Sequence, residues 1–238
     1  MKCKLKSFLL SAGTLLLTMC FNTTYAQKWD DKIIISQCTD QYVMSLDHEN
    51  PIVKNTKRYV YESNSAITVN PETAAFYGEN ITLDDVSGRG VKLYKNITPE
   101  NVFYDDTKAC IIRGYIDKKG GTCKASFERT FKDIKYFTRI YLLEEYFIRD
   151  KTLTITIPKQ LSGYHIKEMN FKGFNIETSH KSTPEGETFT YTLHNADRMK
   201  EDKMMPPISN VYPYLLITGS FSDANALYSW SKEMANVD

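Results

Sequence analysis

Leu153-Thr154-Ile155-Thr156-Ile157 and Thr188-Phe189-Thr190-Tyr191-Thr192-Leu193 alternate apolar and polar residues without a break. Period two is the spacing of a strand with one face buried and one face wet. Both runs are rich in β-branched and aromatic residues, which suit a pleated surface. Similar runs occur at Lys32–Gln37, Gln41–Leu46, Lys57–Glu62, Val91–Tyr94, Ile140–Leu143, Tyr164–Phe171 and Tyr214–Thr218. Strands this closely spaced, with few helical stretches between them, predict a mainly β chain. The expected architecture is an antiparallel two-sheet β-sandwich with one or two short helices.

The same alternation predicts a hairpin over Ala109–Phe131, turning at Lys118-Lys119-Gly120-Gly121. If Ile116 faces Cys123, one side collects Cys110, Ile112, Ile116, Cys123, Ala125, Phe127 and Phe131, with Arg129 as a misfit at a bulge or sheet margin. Two helices are expected. One starts at Asn70-Pro71-Glu72 and ends at Gly78, on cap chemistry. The other covers Asp223–Asn236 behind Ser222 and aligns Leu227, Trp230 and Met234 on one face.

Lys2, Lys4 and Lys6 precede an apolar run from Phe8 to Met19, and Thr24-Tyr25-Ala26 supplies small residues for cleavage. Residues 1–26 therefore read as a signal peptide, cut between Ala26 and Gln27, and the twelve-residue run is short for a membrane span. Acylation at Cys20 is a minor alternative, because Met19 stands where a lipoprotein signal needs a small residue. The expected division is 1–26 signal, 27–220 β-sandwich and 221–238 helix or junction, in a periplasmic or secreted product without a membrane span.

The whole chain of 238 residues carries a net charge of +1 and 13% aromatic residues, with 16 Tyr. Removing the three lysines of the signal from 30 basic residues leaves 27 against 29 acidic ones, a net charge of −2. That balance argues against a nucleic-acid partner. No P-loop, dinucleotide fingerprint or nucleophile elbow is present.

Three cysteines remain after signal removal, Cys38, Cys110 and Cys123. Cys110 or Cys123 with His48, His165, His180 or His194 is the obvious thiol-enzyme hypothesis. Both cysteines fall on the inward side of the expected hairpin, where a thiol acts as a small hydrophobe. The hairpin register puts them roughly 20 Å apart, too far for a disulfide. His165, His180 and His194 lack metal-ligand spacing, and Asp84-Asp85 and Asp105-Asp106 read as turn residues. No metal, cofactor or catalytic residue is assigned. Tyr136, Phe137, Tyr141, Tyr146 and Phe147 would form a glycan platform if exposed, and sandwich core if buried.

Several segments together resemble a known family. Val102-Phe103-Tyr104-Asp105-Asp106-Thr107-Lys108-Ala109-Cys110 leads into the Lys-Lys-Gly-Gly turn. Phe131-Lys132-Asp133-Ile134-Lys135-Tyr136-Phe137 runs on to Tyr146-Phe147-Ile148 and the Thr-rich strand ending at Pro158. Lys203-Met204-Met205-Pro206-Pro207 and Val211-Tyr212-Pro213-Tyr214-Leu215 follow. This order resembles the N-terminal β-rich domain of unknown function in secreted bacterial transglutaminase-like proteins, over roughly residues 28–220. In that family a papain-like core with a Cys–His–Asp triad follows, and none of the three cysteines here matches its nucleophile. The resemblance implies a non-catalytic interaction module that docks a transglutaminase- or peptidase-like core supplied by another chain, or a shortened relative that lost it. Another envelope protein is a further partner, and the apolar face Leu227, Trp230 and Met234 of the expected terminal helix is the candidate interface. A glycan-binding module is the alternative, and a thiol enzyme the third reading.

Overall fold

The computed structural model describes residues 31–48, 50–97, 106–134, 137–200, 204–219, 228 and 232. The expected signal, Ala26–Gln27 cleavage site and Cys20 lie outside them, as do Leu227, Trp230 and Met234. Within the expected terminal helix, Tyr228 and Lys232 are described, and both are helical and exposed.

Thirteen strands are described, in order. They are β1 (Ile33–Asp47), β2 (Asn50–Ser63), β3 (Glu72–Tyr77), β4 (Ile81–Gly88), β5 (Val91–Asn96), β6 (Lys108–Arg113) and β7 (Thr122–Phe131), then β8 (Arg139–Tyr141), β9 (Phe147–Pro158), β10 (Tyr164–Met169), β11 (Ile176–Thr183), β12 (Gly186–Ala196) and β13 (Tyr214–Gly219). The described helices are a 3-10 turn at Lys159–Leu161 and α1 (Ile208–Val211). The chain is mainly β, mostly antiparallel, with very few helices.

A seven-stranded sheet, ordered β11-β12-β9-β1-β2-β7-β4, forms one layer. The second layer is two three-stranded sheets, β10-β13-β8 and β3-β6-β5, rather than one. Strand length explains the split. The fifteen residues of β1 span roughly 45 Å, whereas a six-residue strand covers about 20 Å. Two short sheets laid end to end are needed to cover one long one. Tyr42, Met44, Val53, Leu153 and Ile155 pack against Ile140, Leu215 and Ile217 at one end. Cys38, Tyr59, Tyr61, Cys123 and Phe127 pack against Ala75, Ile112 and Ile116 at the other. One central pairing departs from the antiparallel expectation, since β1 and β9 run parallel.

The residues expected to face inward from Ala109–Phe131 are buried, but the hairpin does not form. The β6 strand pairs with β3 and β5, whereas β7 pairs with β2 and β4. At Gly114 the chain leaves β6. Its N–H donates to Pro71 O at 2.7 Å, and Ile116 then bridges Val69. A side chain at Gly114 would meet Cys123 Sγ at 2.6 Å. The Lys-Lys-Gly-Gly turn exists, with Gly120 at φ 74°, but it caps β2: Gly120 N–H donates to Ser63 O at 2.7 Å. The expected helix at Asn70–Gly78 is strand β3. Its cap signal is overridden by pairing along β6 and by the Arg113 Nε–Glu72 Oε1 contact at 2.5 Å. Ala75, fully buried, fits its small side chain between the layers.

The inward assignment of β9 has a simple check. Leu153→Ala empties a fully buried site and costs about 2–5 kcal/mol. Thr154→Ala, on the outer face, costs less than about 1 kcal/mol. Urea unfolding of both variants measures the contrast, and equal losses would contradict the facing.

Candidate functional site

Cross-strand register fixes which residues meet inside. Cys38 lies between Lys151 of β9 and Tyr59 of β2. Asp40 lies between Leu153 and Lys57, and Lys57 in turn faces Phe127. Tyr42 lies between Ile155 and Asn55, which faces Arg129. Partners across a ladder share a face, so these polar residues cross the inner face midway along β1, where the two covering sheets meet. The segment Leu142–Tyr146 runs over this seam and brings Glu144 to it.

Glu144 joins two strands. Its carboxylate accepts from Lys57 Nζ at 2.7 Å, from Lys151 Nζ, and from the Tyr59 hydroxyl at 3.0 Å. Lys151 also donates to Leu142 O at 2.9 Å. Asp40 accepts from Asn55 Nδ2 at 2.8 Å and sits 3.4 Å from Lys57 Nζ. Asn55 Oδ1 accepts from Arg129 Nη2 at 2.9 Å. The Arg129 guanidinium lies 4.9 Å from the Phe127 ring centre, which accounts for an arginine in an otherwise apolar row. The partner strand β4 breaks register beside it, between Leu83 and Asp85. The Lys57 and Glu144 side chains are 13% exposed, Asp40 1% and Lys151 0%. Every buried side-chain nitrogen and oxygen among the described residues has a partner.

The electrostatics act most strongly on Glu144, Lys57 and Cys38. Burial works to raise the Glu144 pKa, but the Lys151 and Lys57 ammoniums outweigh it and hold the carboxyl at about 2. Burial works to lower the Lys57 pKa, and the Glu144 carboxylate, with Tyr59 and Asp40 behind it, lifts it well above the usual range. Burial pushes the Cys38 thiol up to about 12, against the opposing pull of Lys151. Burial also raises Tyr42 and Tyr59. An ammonium held charged is no amine nucleophile, and a thiol held neutral is no thiolate. None of these shifts brings a group toward neutrality of function near pH 7.

The three cysteines are free and buried. Their free state does not follow from the expected hairpin register, which the chain does not adopt. His194 Nδ1 contacts Asp150 Oδ1 at 2.6 Å on the outer face, opposite the face of Cys38 and Cys123. His48 and His165 are exposed, and His180 stacks on Phe189 at 4.3 Å. No Cys–His pair and no group of metal-binding side chains forms among the described residues. Asp84 and Asp85, expected in a turn, lie within strand β4 beside its break in register, and Asp84 accepts hydroxyl hydrogen bonds from Thr82 and from Thr130 across the ladder. Phe137 and Phe147 are buried, Tyr141 and Tyr146 partly so, and Tyr136 lies outside the described residues. Phe137, Tyr146 and Phe147 make core, and the half-buried Tyr141 tilts against Tyr214 at 5.6 Å, so no flat row of exposed rings forms among the described members of the set. Grooves of about 390 and 370 Å³ open on the surface, and neither is lined by Lys57, Glu144 or Lys151.

The ion cluster was absent from the sequence expectations, although part of its signal was there. Lys151 falls in the phase of Leu153, Ile155 and Ile157, and Asp40 in that of Tyr42 and Met44. A charge in the inward phase of a buried strand demands a buried partner. Nothing comparable marks Glu144, which sits between strands.

Stability should follow the Glu144 charge. Its carboxyl is harder to protonate folded than unfolded, so it stabilises the fold above pH about 4.5, and this is lost as pH falls toward 2. Glu144→Gln leaves Lys151 without a carboxylate and Lys57 with Asp40 alone, and lowers stability at pH 7 by about 3–5 kcal/mol. It also flattens the pH dependence across that acid window in urea unfolding. A separate readout is thiol labelling at pH 8. Cys38 should resist iodoacetamide in the native protein and react in denaturant, as peptide mass mapping would show.

The sequence matches no protein-family model and no curated protein. Solved structures resemble the chain at low identity, one of them closely enough to share its fold. A candidate protease from Parabacteroides distasonis superposes with a TM-score of 0.61 at 11% identity, over 86% of this chain and 44% of that one. The chain thus spans less than half of that protein's length. A candidate nutrient-binding protein from Legionella pneumophila gives a TM-score of 0.47 at 8% identity, over 87% of this chain and 76% of that one. An M1 zinc metallopeptidase from Deinococcus radiodurans gives 0.40 at 7%, over 78% and 42%.

Proposed function

We propose that this chain is a non-catalytic interaction module of a secreted or periplasmic protein, and that its partner is a transglutaminase- or peptidase-like core. The observation that carries the reading is the closed ion cluster. The strongest concentration of titratable groups in the described chain is nearly closed to solvent, its buried polar atoms all have partners, and Glu144 and Lys57 are held charged. Such a cluster orders two halves of a core and leaves no group poised for acid, base or nucleophilic work. The shared fold with part of a longer candidate protease fits a module beside a catalytic core.

The outer face of β3-β6-β5 is the surface for this partner. Phe76 and Val91 are 47% and 56% exposed there, and Ala74, Leu93 and Ile111 lie beside them half-buried. The Glu72–Arg113 pair rims the patch. By contrast, the outer face of the large sheet is lined by Thr152, Thr154, Thr156, Thr188, Thr190 and Thr192. An apolar face on one sheet and a hydroxylated face on the other give the module one sticky side.

Two measurements test this. The purified chain alone should show no proteolysis of casein and no amine incorporation, and activity lost in a Cys38→Ser, Cys110→Ser, Cys123→Ser variant would overturn the non-catalytic reading. Calorimetry against a transglutaminase-like core from the same genome should detect binding that Phe76→Asp weakens by about tenfold or more, with the unfolding midpoint unchanged. A core that does not bind the wild-type chain would overturn the partner assignment.

A further inference from the structure

The β11 strand ends the seven-stranded sheet. No strand lies on its outer side among the described residues, and seven of its eight residues, Glu177–Thr183, are exposed. A free edge presents a row of unpaired N–H and C=O groups, and proteins normally blunt such edges. The opposite edge of the same sheet is blunted. There β4 carries Asp84 and Asp85 and breaks register between Leu83 and Asp85. The β5 edge carries Lys92 and Lys95 and no acid, so pairing with itself brings no opposite charges together. The β11 edge has no proline, no bulge and one charge of each sign in its centre: Glu177-Thr178-Ser179-His180-Lys181.

That order is self-complementary. Two copies related by a two-fold axis normal to the sheet keep their faces continuous only if partners share a face. With Ser179 opposite Ser179 of the second copy, Glu177 meets Lys181 twice, and Thr178 meets His180 twice. Moving the axis by one residue either way sets Glu177 against Ser179 or Thr183 and loses both charge pairs. Among the described residues neither Glu177 nor Lys181 has an ion-pair partner within the chain. Both lie on the outer face, opposite Thr192 and Thr188 of β12, so an added strand meets them without disturbing the core. His180 is already held on the inner face, stacked on Phe189.

We infer that β11 is a homodimerisation edge, and that two copies of this chain pair antiparallel about Ser179 to make one fourteen-stranded sheet. Directly opposed charges across a ladder select the register, while the backbone hydrogen bonds hold the strands together. The occupant of this edge is a second copy, and its surface is separate from the β3-β6-β5 face.

Sedimentation velocity on the purified full chain over a concentration series tests the inference, with circular dichroism to check the fold. The wild type should show a concentration-dependent dimer. Glu177→Lys and Lys181→Glu should each weaken dimerisation by about tenfold, because each turns two attractive pairs into repulsive ones. The double variant Glu177→Lys/Lys181→Glu restores opposite charges in swapped positions and should recover the wild-type dimer. A chain that stays monomeric at every concentration would overturn the proposal. So would a dimer indifferent to the single reversals, or a double variant that fails to recover.

Discussion

One carboxylate holds the two ends of this core together. Glu144 sits where the β10-β13-β8 sheet gives way to β3-β6-β5, and neither short sheet covers the middle of β1. A seam between two apolar clusters admits polar side chains only if their hydrogen bonds are complete. Glu144 completes them by accepting from Lys57 on β2 and Lys151 on β9 at once, on either side of β1. Asp40 and Asn55 carry the network on to Arg129 on β7. The cluster therefore crosses β9, β1, β2 and β7, four adjacent strands of the large sheet.

Such a network is a poor source of net stability and a strong source of specificity, because only one arrangement satisfies all of its members. Slipping β1 by one residue against β2 would turn Asp40 outward and leave Lys57 buried without it. The same completeness bears on chemistry. Charged groups matched this closely stay charged, and the thiol beside them stays protonated. Outside the cluster, the described surfaces have characters of their own. Those surfaces differ: an apolar patch on β3-β6-β5, a threonine-rich face on the large sheet, and a free edge at β11.

Most strand positions were legible in the sequence because period two reports burial directly, whereas β4 and the exposed edge strand β11 carry no such alternation and were not marked. The alternating runs at 153–157 and 188–193 became β9 and β12, and the inward set Ile112, Ile116, Cys123, Ala125 and Phe127 is buried as its phase requires. Pairing was less legible. The segment Ala109–Phe131 has the alternation and the turn of a hairpin, yet its two arms enter different sheets, because Pro71 and Val69 capture the chain at Gly114 and Ile116. At Asn70–Gly78 a local cap signal yielded to strand pairing, as weak propensities do when a long-range partner is present.

By itself the sequence determined the class of structure: which residues alternate, which face of the alternating strands is apolar, and that the chain is mainly β with few helices. It also contained half of the ion cluster, as lysine and aspartate standing in inward phase at Lys151 and Asp40. Only the tertiary structure decided that the second layer divides in two, that β1 and β9 run parallel, and that Glu144 closes the gap. The reason is physical. Alternation is a local property that each strand carries alone, whereas the seam exists only because one strand of fifteen residues must be covered by strands less than half as long.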